Sequence, residues 1–382
     1  MIPYGRQDIS EEDIEAVERV LRSDFLTQGP VIPAFERKFC DYTGANHAVA
    51  VNSATSALHI ACLALDLGPG DILWTVPNTF VASANCAYYC GATVDFVDID
   101  PDTRNMDVSA LEAKLDGAAH AGCLPKIVVP VHFAGQSCDM RAIAELAKRY
   151  GFQVIEDASH AVGGSYMDKR IGGCQFSEIT IFSFHPVKII TTGEGGLALT
   201  NNAELAERMD LYRSHGVTRD ASLMESPLKG PWYYEQVALG FNYRMTDLQA
   251  GLGLSQMQRL DAFTKKRNEL AQTYNSLLQE LPIGLPHQSF DTYSAWHLYT
   301  VLIPQPANRD VVFQEMREKG VGVNVHYIPV HLQPFYKKRG FKEGMFPYAE
   351  AHGNKTLTLP LHPNLTAEQQ THVVSALGEA IS

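Results

Sequence analysis

The sequence predicts an α/β protein: a large, mainly parallel sheet covered by helices, followed by a smaller α+β domain. In residues 1–250, short apolar runs alternate with amphipathic stretches of helix length, which is the pattern of β-α-β units. In residues 251–382, shorter strand-like and helix-like runs are mixed. The chain has 382 residues, enough for two domains divided at about this point.

The first predicted helix follows an N-terminal arm that ends at Ser10. Ser10 and Asp13 have the spacing of a capping box, in which each side chain bonds the other residue's backbone N–H. Apolar residues then recur at helical spacing from Ile14 to Leu21. A helix is therefore expected directly after the arm.

Seven apolar runs predict the strands of the large sheet: HAVAV at 47–51, ILWTV from 72, ATVDFVDI from 92, KIVVPVHF from 126, FQVIED from 152, EITIFSF from 178 and GGLALT from 195. Helix-length segments separate most of them: SATSALHIACLAL from 53, NCAYYCG from 85, VSALEAKL from 108 and MRAIAELAKRYG from 140. Alternation of this kind implies parallel strands with helices on both faces of the sheet.

One long amphipathic helix is predicted from near Met245 to Pro282, and it would link the two domains. Two strands are then predicted, HLYTVLI at 297–303 and VGVNVHYI at 321–328. Helices are predicted for RDVVFQEMREKG from 309 and for AEQQTHVVSALGEAI from 367. The mixture is typical of a small α+β domain.

The charge of the chain argues against several classes of function. Lys and Arg number 31 against 43 Asp and Glu, a formal net charge of -12, whereas proteins that bind nucleic acid normally present a positive surface. No apolar run reaches the roughly 20 residues that cross a bilayer, and the N-terminus has neither the basic start nor the apolar core of a signal peptide. We expect a cytoplasmic protein without nucleic-acid or membrane partners.

The cysteines predict neither a disulfide framework nor a metal site. There are seven of them, an odd number, with no CxxC pair: Cys40, Cys62, Cys86, Cys90, Cys123, Cys138 and Cys174. Cys86 and Cys90 could share one helix face, but the partner ligands for a metal are missing. All seven are interpreted as reduced thiols, mostly small core residues.

The first candidate site lies at residues 52–56, NSATS, where a predicted strand meets a predicted helix. The unpaired N–H groups of a helix N-terminus bind anions, and small hydroxyl residues such as Ser53 and Thr55 suit a phosphate. A simple N-cap explains the same residues without any ligand. The segment alone leaves both interpretations open.

Two further candidates follow strands. Asp157 and His160 come after the apolar run FQVI and should emerge at the carboxyl edge of the sheet, where α/β proteins bind ligands. Lys188 lies between the strand EITIF and the glycine-rich TGEGG, where a crowded environment lowers the pKa of an amine and makes it nucleophilic. The alternatives are a turn aspartate and a solvated surface lysine.

Taken together, these segments resemble the DegT/StrS family of sugar aminotransferases, which have the fold-type-I architecture of pyridoxal-phosphate (PLP) enzymes. The resemblance rests on motifs spread in order over most of the chain: NSATSALH, PNTFVASANC, VIEDASHAVG, FSFHPVKIITTGEGG, YRSHG and GFNYRMTDLQAGLGLSQ. The implied activity is transamination of a nucleotide sugar, with PLP as the cofactor.

The resemblance also implies roles for individual residues. Lys188 would form the Schiff base with PLP and move a proton between substrate and cofactor, and Asp157 would pair with the protonated pyridine nitrogen. Phe80 would lie on the ring face, with a core phenylalanine as the alternative. His160 would contact the cofactor directly or contact a residue that does. The remaining residues implied to bind the cofactor would contact its phosphate: Ser53, Ala54, Thr55 and Ser183.

A homodimer with shared active sites is implied by Asn242 in GFNYRM. In the family this residue reaches the cofactor phosphate of the neighbouring subunit. A turn asparagine beside a glycine is the alternative explanation. Arg244 could bind an anionic ligand or contribute to the interface, or form only a surface ion pair.

Within the family, the segments that bear on specificity resemble the branch that serves pseudaminic acid biosynthesis. That resemblance implies conversion of a UDP-linked 4-keto-6-deoxy-2-acetamido-L-hexose to UDP-4-amino-4,6-dideoxy-N-acetyl-β-L-altrosamine, with L-glutamate as the donor. Packing of amphipathic rings would equally explain the tyrosines and the histidine among them. The implied substrate-binding residues are Tyr4, Asp24, Phe25, Leu26, Thr27, Ala54, Ser183, Asn242, Val325, His326, Tyr327 and Ile328.

Other functions remain as alternatives. The same fold and cofactor could serve another nucleotide-linked 4-keto sugar, such as a precursor of perosamine or 4-amino-arabinose. The dehydratases of the family carry histidine in place of the reactive lysine, so Lys188 argues against that branch. A non-catalytic sensor is disfavoured by the acidic charge and by the lack of a preceding DNA-binding domain.

Overall fold

The computed structural model describes residues 1–382. Its helices are α1 Glu11–Leu21, α2 Val31–Thr43, α3 Ala54–Ala64, α4 Ala82–Tyr89, α5 Val108–Ala121, α6 Met140–Tyr150, α7 Ala203–Arg213, α8 Asp247–Met257, α9 Leu260–Leu278, α10 Arg309–Glu318, α11 Pro334–Lys337, α12 Pro347–Lys355 and α13 Ala367–Ile381. Its strands are β1 His47–Val51, β2 Ile72–Thr75, β3 Thr93–Phe96, β4 Ile127–Val129, β5 Gln153–Asp157, β6 Ser165–Tyr166, β7 Lys169–Arg170, β8 Ile179–Ser183, β9 Gly196–Thr200, β10 Val217–Thr218, β11 Glu235–Gln236, β12 Thr292–Tyr293, β13 Tyr299–Leu302 and β14 Thr356–Leu359.

The seven predicted strands form one sheet, in the order β1-β9-β8-β5-β4-β2-β3. Six strands are parallel, and β9 runs antiparallel between β1 and β8. The predicted α/β fold is therefore confirmed. The sequence did not indicate that β9 is reversed, and this reversal places its first residue beside the last residues of two neighbouring strands.

Helices cover both faces of this sheet. Val49 and Val51 of β1 lie in a core with α3 to α7, whereas Ala50 between them lies in a second core with α2, α8 and the start of α9. Successive side chains of a strand point to opposite faces, so the two cores lie on opposite sides. Both faces are thus buried, as a parallel sheet requires.

The small domain has its own core, built from α9, α10, α13 and the antiparallel pair β13–β14. The prediction of a strand over VGVNVHYI is wrong: Val321 and Asn324 make only isolated bridges, to Ile2 and Thr358, and β14 pairs with β13 instead. The N-terminal arm occupies the space beside Val321, where the Gly322 N–H donates to the Ile2 carbonyl at 2.7 Å.

The predicted single helix from Met245 to Pro282 is two helices, α8 and α9. Between them lies Arg259, which forms ion pairs with Asp8 and, at 2.5 Å, with Asp13 of α1. The expected domain boundary at residue 250 falls inside α8, which packs with α2 in the second core. The small-domain core begins at Leu270, within α9.

No helix of the structure has both the length and the apolar character that a membrane span needs.

Candidate active site

The candidate residues lie at one edge of the sheet, where β1, β8 and β5 end. Gly196, the first residue of β9, pairs with Val51 on one side and with Ser183 on the other. Val51 leads directly into the NSATS segment, and Asp157 ends the next strand, opposite Ile181 of β8. The reversed strand thus places Ser183 and the start of α3 side by side.

Close packing at this point depends on Gly196, which the sequence analysis missed. A Cβ atom there would lie 2.4 Å from the Ser53 carbonyl carbon and 2.5 Å from the Ala54 nitrogen. Both are backbone atoms and cannot swing aside, so only glycine fits. The signal in the sequence was a glycine at a strand start, which often marks a close backbone approach.

Both interpretations of NSATS, a helix N-cap and an anion site, apply to the start of α3. Ser53 is the N-cap, and its hydroxyl oxygen accepts from the Ser56 N–H at 3.1 Å. Ala54 and Thr55 open the helix, where backbone N–H groups have no intrahelical acceptor. The cap therefore holds the turn in place and leaves two N–H donors for an anion.

Asp157 is buried and accepts two hydrogen bonds. Its Oδ2 atom accepts from the Ser83 hydroxyl at 2.6 Å, and its Oδ1 atom accepts from the Ser159 N–H at 3.1 Å. None of the salt bridges in the structure includes this carboxylate. A buried carboxylate that forms no salt bridge is suited to a positively charged ligand. Ser83 on α4 was missed, because nothing local distinguishes it from other serines.

Lys188 lies in the turn after β8. The turn is shaped by Phe184, whose carbonyl accepts from the Thr192 N–H at 3.1 Å and from the Thr191 hydroxyl at 2.9 Å. Burial lowers the pKa of Lys188 from 10.5 to about 8, while the charge of Asp157 opposes the shift. The predicted desolvated amine is therefore present, close enough to Asp157 for the two to interact.

Three histidines surround this amine. His160 shares a hydrogen bond of 3.1 Å between its Nε2 atom and the Tyr327 hydroxyl of the small domain, and its Nδ1 atom is buried without a partner. The ring of His297 lies 4.5 Å from that of His160, between centroids. Burial, aided by the charge of Lys188, lowers the pKa of His160, His297 and His326. All three are neutral, and His297 was not singled out from the sequence.

The arm and the small-domain loop meet beside Lys188. The rings of Tyr4 and His326 are 5.8 Å apart between centroids, and the Tyr4 carbonyl accepts from the Leu361 N–H at 3.0 Å. A Cβ atom at Gly5 would lie 3.8 Å from that of Val187, the neighbour of Lys188. Tyr4, His326 and Tyr327 therefore converge on one place. Val325 and Ile328 flank them in the chain.

Other candidates lie at the surface of the protein. The segment from Asp24 to Thr27 is exposed and is held at the start of α8, where the Leu26 carbonyl accepts from the Asp247 N–H at 3.0 Å. No hydrogen bond joins it to Tyr4 or His326. Phe80, before α4, is 60% exposed. Asn242 is exposed, and its carbonyl accepts from the Asn52 side chain at 3.4 Å.

These residues fit PLP. The N–H groups of Ala54 and Thr55, with the hydroxyl of Ser183, would hold its phosphate. Asp157, a buried carboxylate that forms no salt bridge, would hold the pyridinium, and Lys188 supplies an amine of lowered pKa. The unpartnered Nδ1 atom of His160 leaves one further polar group free to contact the cofactor.

Comparison with known proteins gives a consistent result. The sequence profile of the DegT/DnrJ/EryC1/StrS aminotransferase family matches residues 7–378. The spore coat polysaccharide biosynthesis protein SpsC of Bacillus subtilis is 40% identical, and the alignment covers 100% of this chain and 97% of SpsC.

Two solved structures superpose on the whole chain. PseC of Helicobacter pylori, an aminotransferase involved in the biosynthesis of pseudoaminic acid, gives a TM-score of 0.91 at 31% identity, covering 100% of this chain and 99% of PseC. The putative sugar aminotransferase Spr1654 of Streptococcus pneumoniae, in its PMP form, gives 0.91 at 30% identity with the same coverage.

Proposed function

The chain belongs to the DegT/DnrJ/EryC1/StrS aminotransferase family and is a PLP-dependent sugar aminotransferase, and we propose that it aminates a UDP-linked 4-keto sugar with L-glutamate as the donor. The observation that supports transamination at this site is the presence of two groups at one sheet edge. Lys188 has an amine of lowered pKa, and Asp157 is a buried carboxylate that forms no salt bridge. The Lys188 amine can accept and donate a proton, and the Asp157 carboxylate can stabilise positive charge.

Each of these residues has a task in transamination. When bound, PLP supplies a carbonyl that takes up the amino group and a ring that accepts the electrons left by deprotonation. Lys188 anchors the cofactor and carries the proton at its Nζ atom. With a pKa near 8, about a tenth of such amines are neutral at pH 7, so the group can both take up and release a proton.

Asp157 would pair with positive charge on the bound cofactor, and the Ser83 hydroxyl and the Ser159 N–H hold its carboxylate in place. The first turn of α3 orients the cofactor through its phosphate. The neutral His160 is hydrogen-bonded to the Tyr327 hydroxyl at 3.1 Å, which joins the site to the small domain. These contacts fix the geometry in which proton transfer occurs.

For the acceptor, we propose a UDP-4-keto-6-deoxy-2-acetamido-L-hexose, with UDP-4-amino-4,6-dideoxy-N-acetyl-β-L-altrosamine as the product. The support is the likeness to PseC over the whole chain and the convergence of Tyr4, His326 and Tyr327 beside Lys188. The greater sequence identity to SpsC, 40%, favours a second candidate, a different nucleotide-linked 4-keto sugar that serves a surface polysaccharide.

A single-turnover assay separates the two acceptors. The pyridoxamine form of the enzyme is mixed with the UDP-4-keto L-sugar, its D-configured epimer, and GDP- and dTDP-linked 4-keto sugars, and the loss of that form is followed by absorbance. The L-sugar should react much faster, because a fixed pocket presents only one face of the ketone. Preference for a GDP or dTDP sugar would reject this acceptor and leave the aminotransferase activity intact.

We also propose that the enzyme is a homodimer in which Asn242 completes the active site of the partner subunit. The support is that Asn242 is exposed although it lies next to Asn52, at the start of the phosphate-binding helix. Mixing subunits tests the proposal: Lys188→Ala with Asn242→Ala should restore activity in about a quarter of all sites, since half the dimers are hybrids with one intact site.

The matched control mixes Lys188→Ala with Asp157→Asn. Both residues belong to the same subunit's site, so every site of the hybrid carries one defect and no activity returns. Subunit exchange is verified by mass spectrometry of the intact dimers. If the Asn242 mixture also stays inactive after exchange, the sites are not shared through this residue.

A further inference from the structure

Asp247, the first residue of α8, carries a buried carboxylate that the transamination mechanism does not use. It has no exposed surface, and its Oδ1 atom accepts from the Ile32 N–H at 3.2 Å, at the start of α2. Its Oδ2 atom is also buried and has no hydrogen-bond partner. An unpaired carboxylate oxygen in the interior lowers stability, so a contribution to stability alone does not account for this residue.

Asp247 holds an exposed loop, residues 24–29, which connects α1 to α2. Its backbone N–H donates to the Leu26 carbonyl at 3.0 Å. Its carboxylate lies against Gly29, where a Cβ atom would overlap both the Oδ2 atom of Asp247 and the Cβ atom of Phe25. Together with the Oδ1 contact at the start of α2, these contacts with one residue fix the path of the loop.

The 24–29 loop lies beside the phosphate end of the active site. Arg244 makes an isolated bridge to Val51, the last residue of β1, and Thr246 makes one to Thr27 of the loop. Since two residues of extended chain span about 7 Å, these two pairings are only that far apart along the segment. Val51 leads directly into NSATS, so the loop is a neighbour of the residues that would hold the cofactor phosphate.

Two apolar side chains of the loop are uncovered. Phe25 is 52% exposed and Leu26 is 48% exposed, although the backbone that carries them is held in place. Ligand sites are lined mainly by apolar side chains on a preformed backbone. This pair has the same properties.

The two substrates of the enzyme differ in how far they extend from the reactive carbon of PLP. In PLP the ring nitrogen is opposite that carbon, whereas the phosphate is attached next to it. Because the nitrogen end would be buried against Asp157, a bound substrate extends outward on the phosphate side. A small amino acid ends close to the reactive carbon, whereas a nucleotide-linked sugar continues toward the loop.

We propose that Asp247 is a positioning residue for the acceptor: it holds the 24–29 loop so that Phe25 and Leu26 pack against the nucleotide-linked sugar and do not contact the amino donor. This inference rests on the proposed function, in that the acceptor carries a nucleotide, but not on which nucleotide or sugar it is. Asp247 touches neither substrate. Loss of its carboxylate loosens the loop and weakens binding of the acceptor, while the chemistry at Lys188 is unchanged.

The experiment measures the two half-reactions separately by single-turnover absorbance. The PLP form is mixed with L-glutamate, and the pyridoxamine form is mixed with the nucleotide-linked keto sugar that the wild type uses fastest. Asp247→Ala removes the carboxylate, and Gly29→Ala forces the loop away from it. Each should raise the sugar concentration at half-maximal rate about tenfold and leave the glutamate reaction unchanged. Asp247→Asn, which keeps an oxygen for the Ile32 N–H, should behave like the wild type.

The matched control is Asp107→Ala. Asp107 is a carboxylate at a helix start outside the site, and its Oδ1 atom accepts from the Ser109 N–H at 2.8 Å, at the start of α5. This variant should change neither half-reaction. The proposal is overturned if Asp247→Ala slows both half-reactions equally, if it leaves the sugar reaction unchanged, or if Asp107→Ala has the same effect.

Phe25→Ala tests the loop directly, even if the Asp247 variants fold poorly, because the half-exposed Phe25 lies outside the core. It should weaken the sugar half-reaction alone. A change in its oligomeric mass by light scattering would assign the loop to a subunit interface and overturn the proposal. The wild type separates the two proposals: no reaction with any nucleotide sugar would refute the proposed function and this inference with it, whereas a normal wild type with unaffected variants refutes only the role of Asp247.

Discussion

Replacement of Asp157 by asparagine tests how the buried carboxylate controls the reactive amine. Burial lowers the pKa of Lys188 from 10.5 to about 8, and Asp157 is the group that raises it. At pH 7 the lower value gives a neutral fraction about 300-fold larger than the ordinary value would. Asparagine keeps the volume of the side chain but removes its charge, so the pKa of Lys188 should fall by a further ~1 unit.

The assay measures covalent capture of PLP by the apoenzyme. Initial rates are followed across about pH 6 to pH 10, a range that brackets the midpoints expected for the wild type and for Asp157→Asn. Borohydride then fixes the product for mass spectrometry at Lys188. The neutral amine is the nucleophile, so the rate should rise with pH through a midpoint near 8 in the wild type. The midpoint should be lower in Asp157→Asn.

Ser83→Ala is the matched control, because it removes a hydrogen bond to Asp157 but retains the charge. Its midpoint should stay near that of the wild type. If Asp157→Asn has the same midpoint as the wild type, or a higher one, Asp157 does not act on Lys188 electrostatically. Its assigned role at the pyridinium would then lose its main support.

Two further substitutions test the packing of the site. Gly196→Ala places a methyl group 2.4 Å from the Ser53 backbone, at a cost of about 1–3 kcal/mol, and should weaken PLP binding about tenfold by fluorescence titration. Gly68→Ala, with no atom within 4 Å, should not, and equal affinities would refute the clash. Tyr327→Phe removes the partner of His160 Nε2 and should lower the free energy of unfolding in urea by about 1–2 kcal/mol. Tyr4→Phe is the control, since the Tyr4 hydroxyl makes no hydrogen bond, and equal losses would contradict the His160 contact.

Most helices and the strands of the main sheet follow from local sequence. The helix α1 begins after Ser10 as expected, but only half of the capping box forms: the Ser10 N–H donates to Asp13 at 3.0 Å, whereas the Ser10 hydroxyl makes no hydrogen bond. The seven apolar runs become the seven strands. Helix caps and side-chain periodicity depend on only a few neighbouring residues. These helices and strands can therefore be predicted without knowledge of the fold.

The prediction failed where distant residues compete for the same backbone. VGVNVHYI alternates like a strand, yet the arm at Ile2 and the strand β14 take its pairing positions. The stretch after Met245 has helical periodicity throughout, yet the helix is interrupted at Arg259, which forms an ion pair with Asp13 of α1. Periodicity reports which face is apolar but not which partner covers it.

The sequence by itself determined that Asp157 and Lys188 follow strands, and that the start of α3 is a helix N-terminus. Strand ends and helix caps are local features, so these candidates could be named from spacing. Only the tertiary structure decided that Gly196 lies between Val51 and Ser183, that Ser83 bonds Asp157 and that Tyr327 reaches His160 from the other domain. Such contacts depend on strand order and domain packing, which join residues far apart in the chain and leave no periodic signal in it.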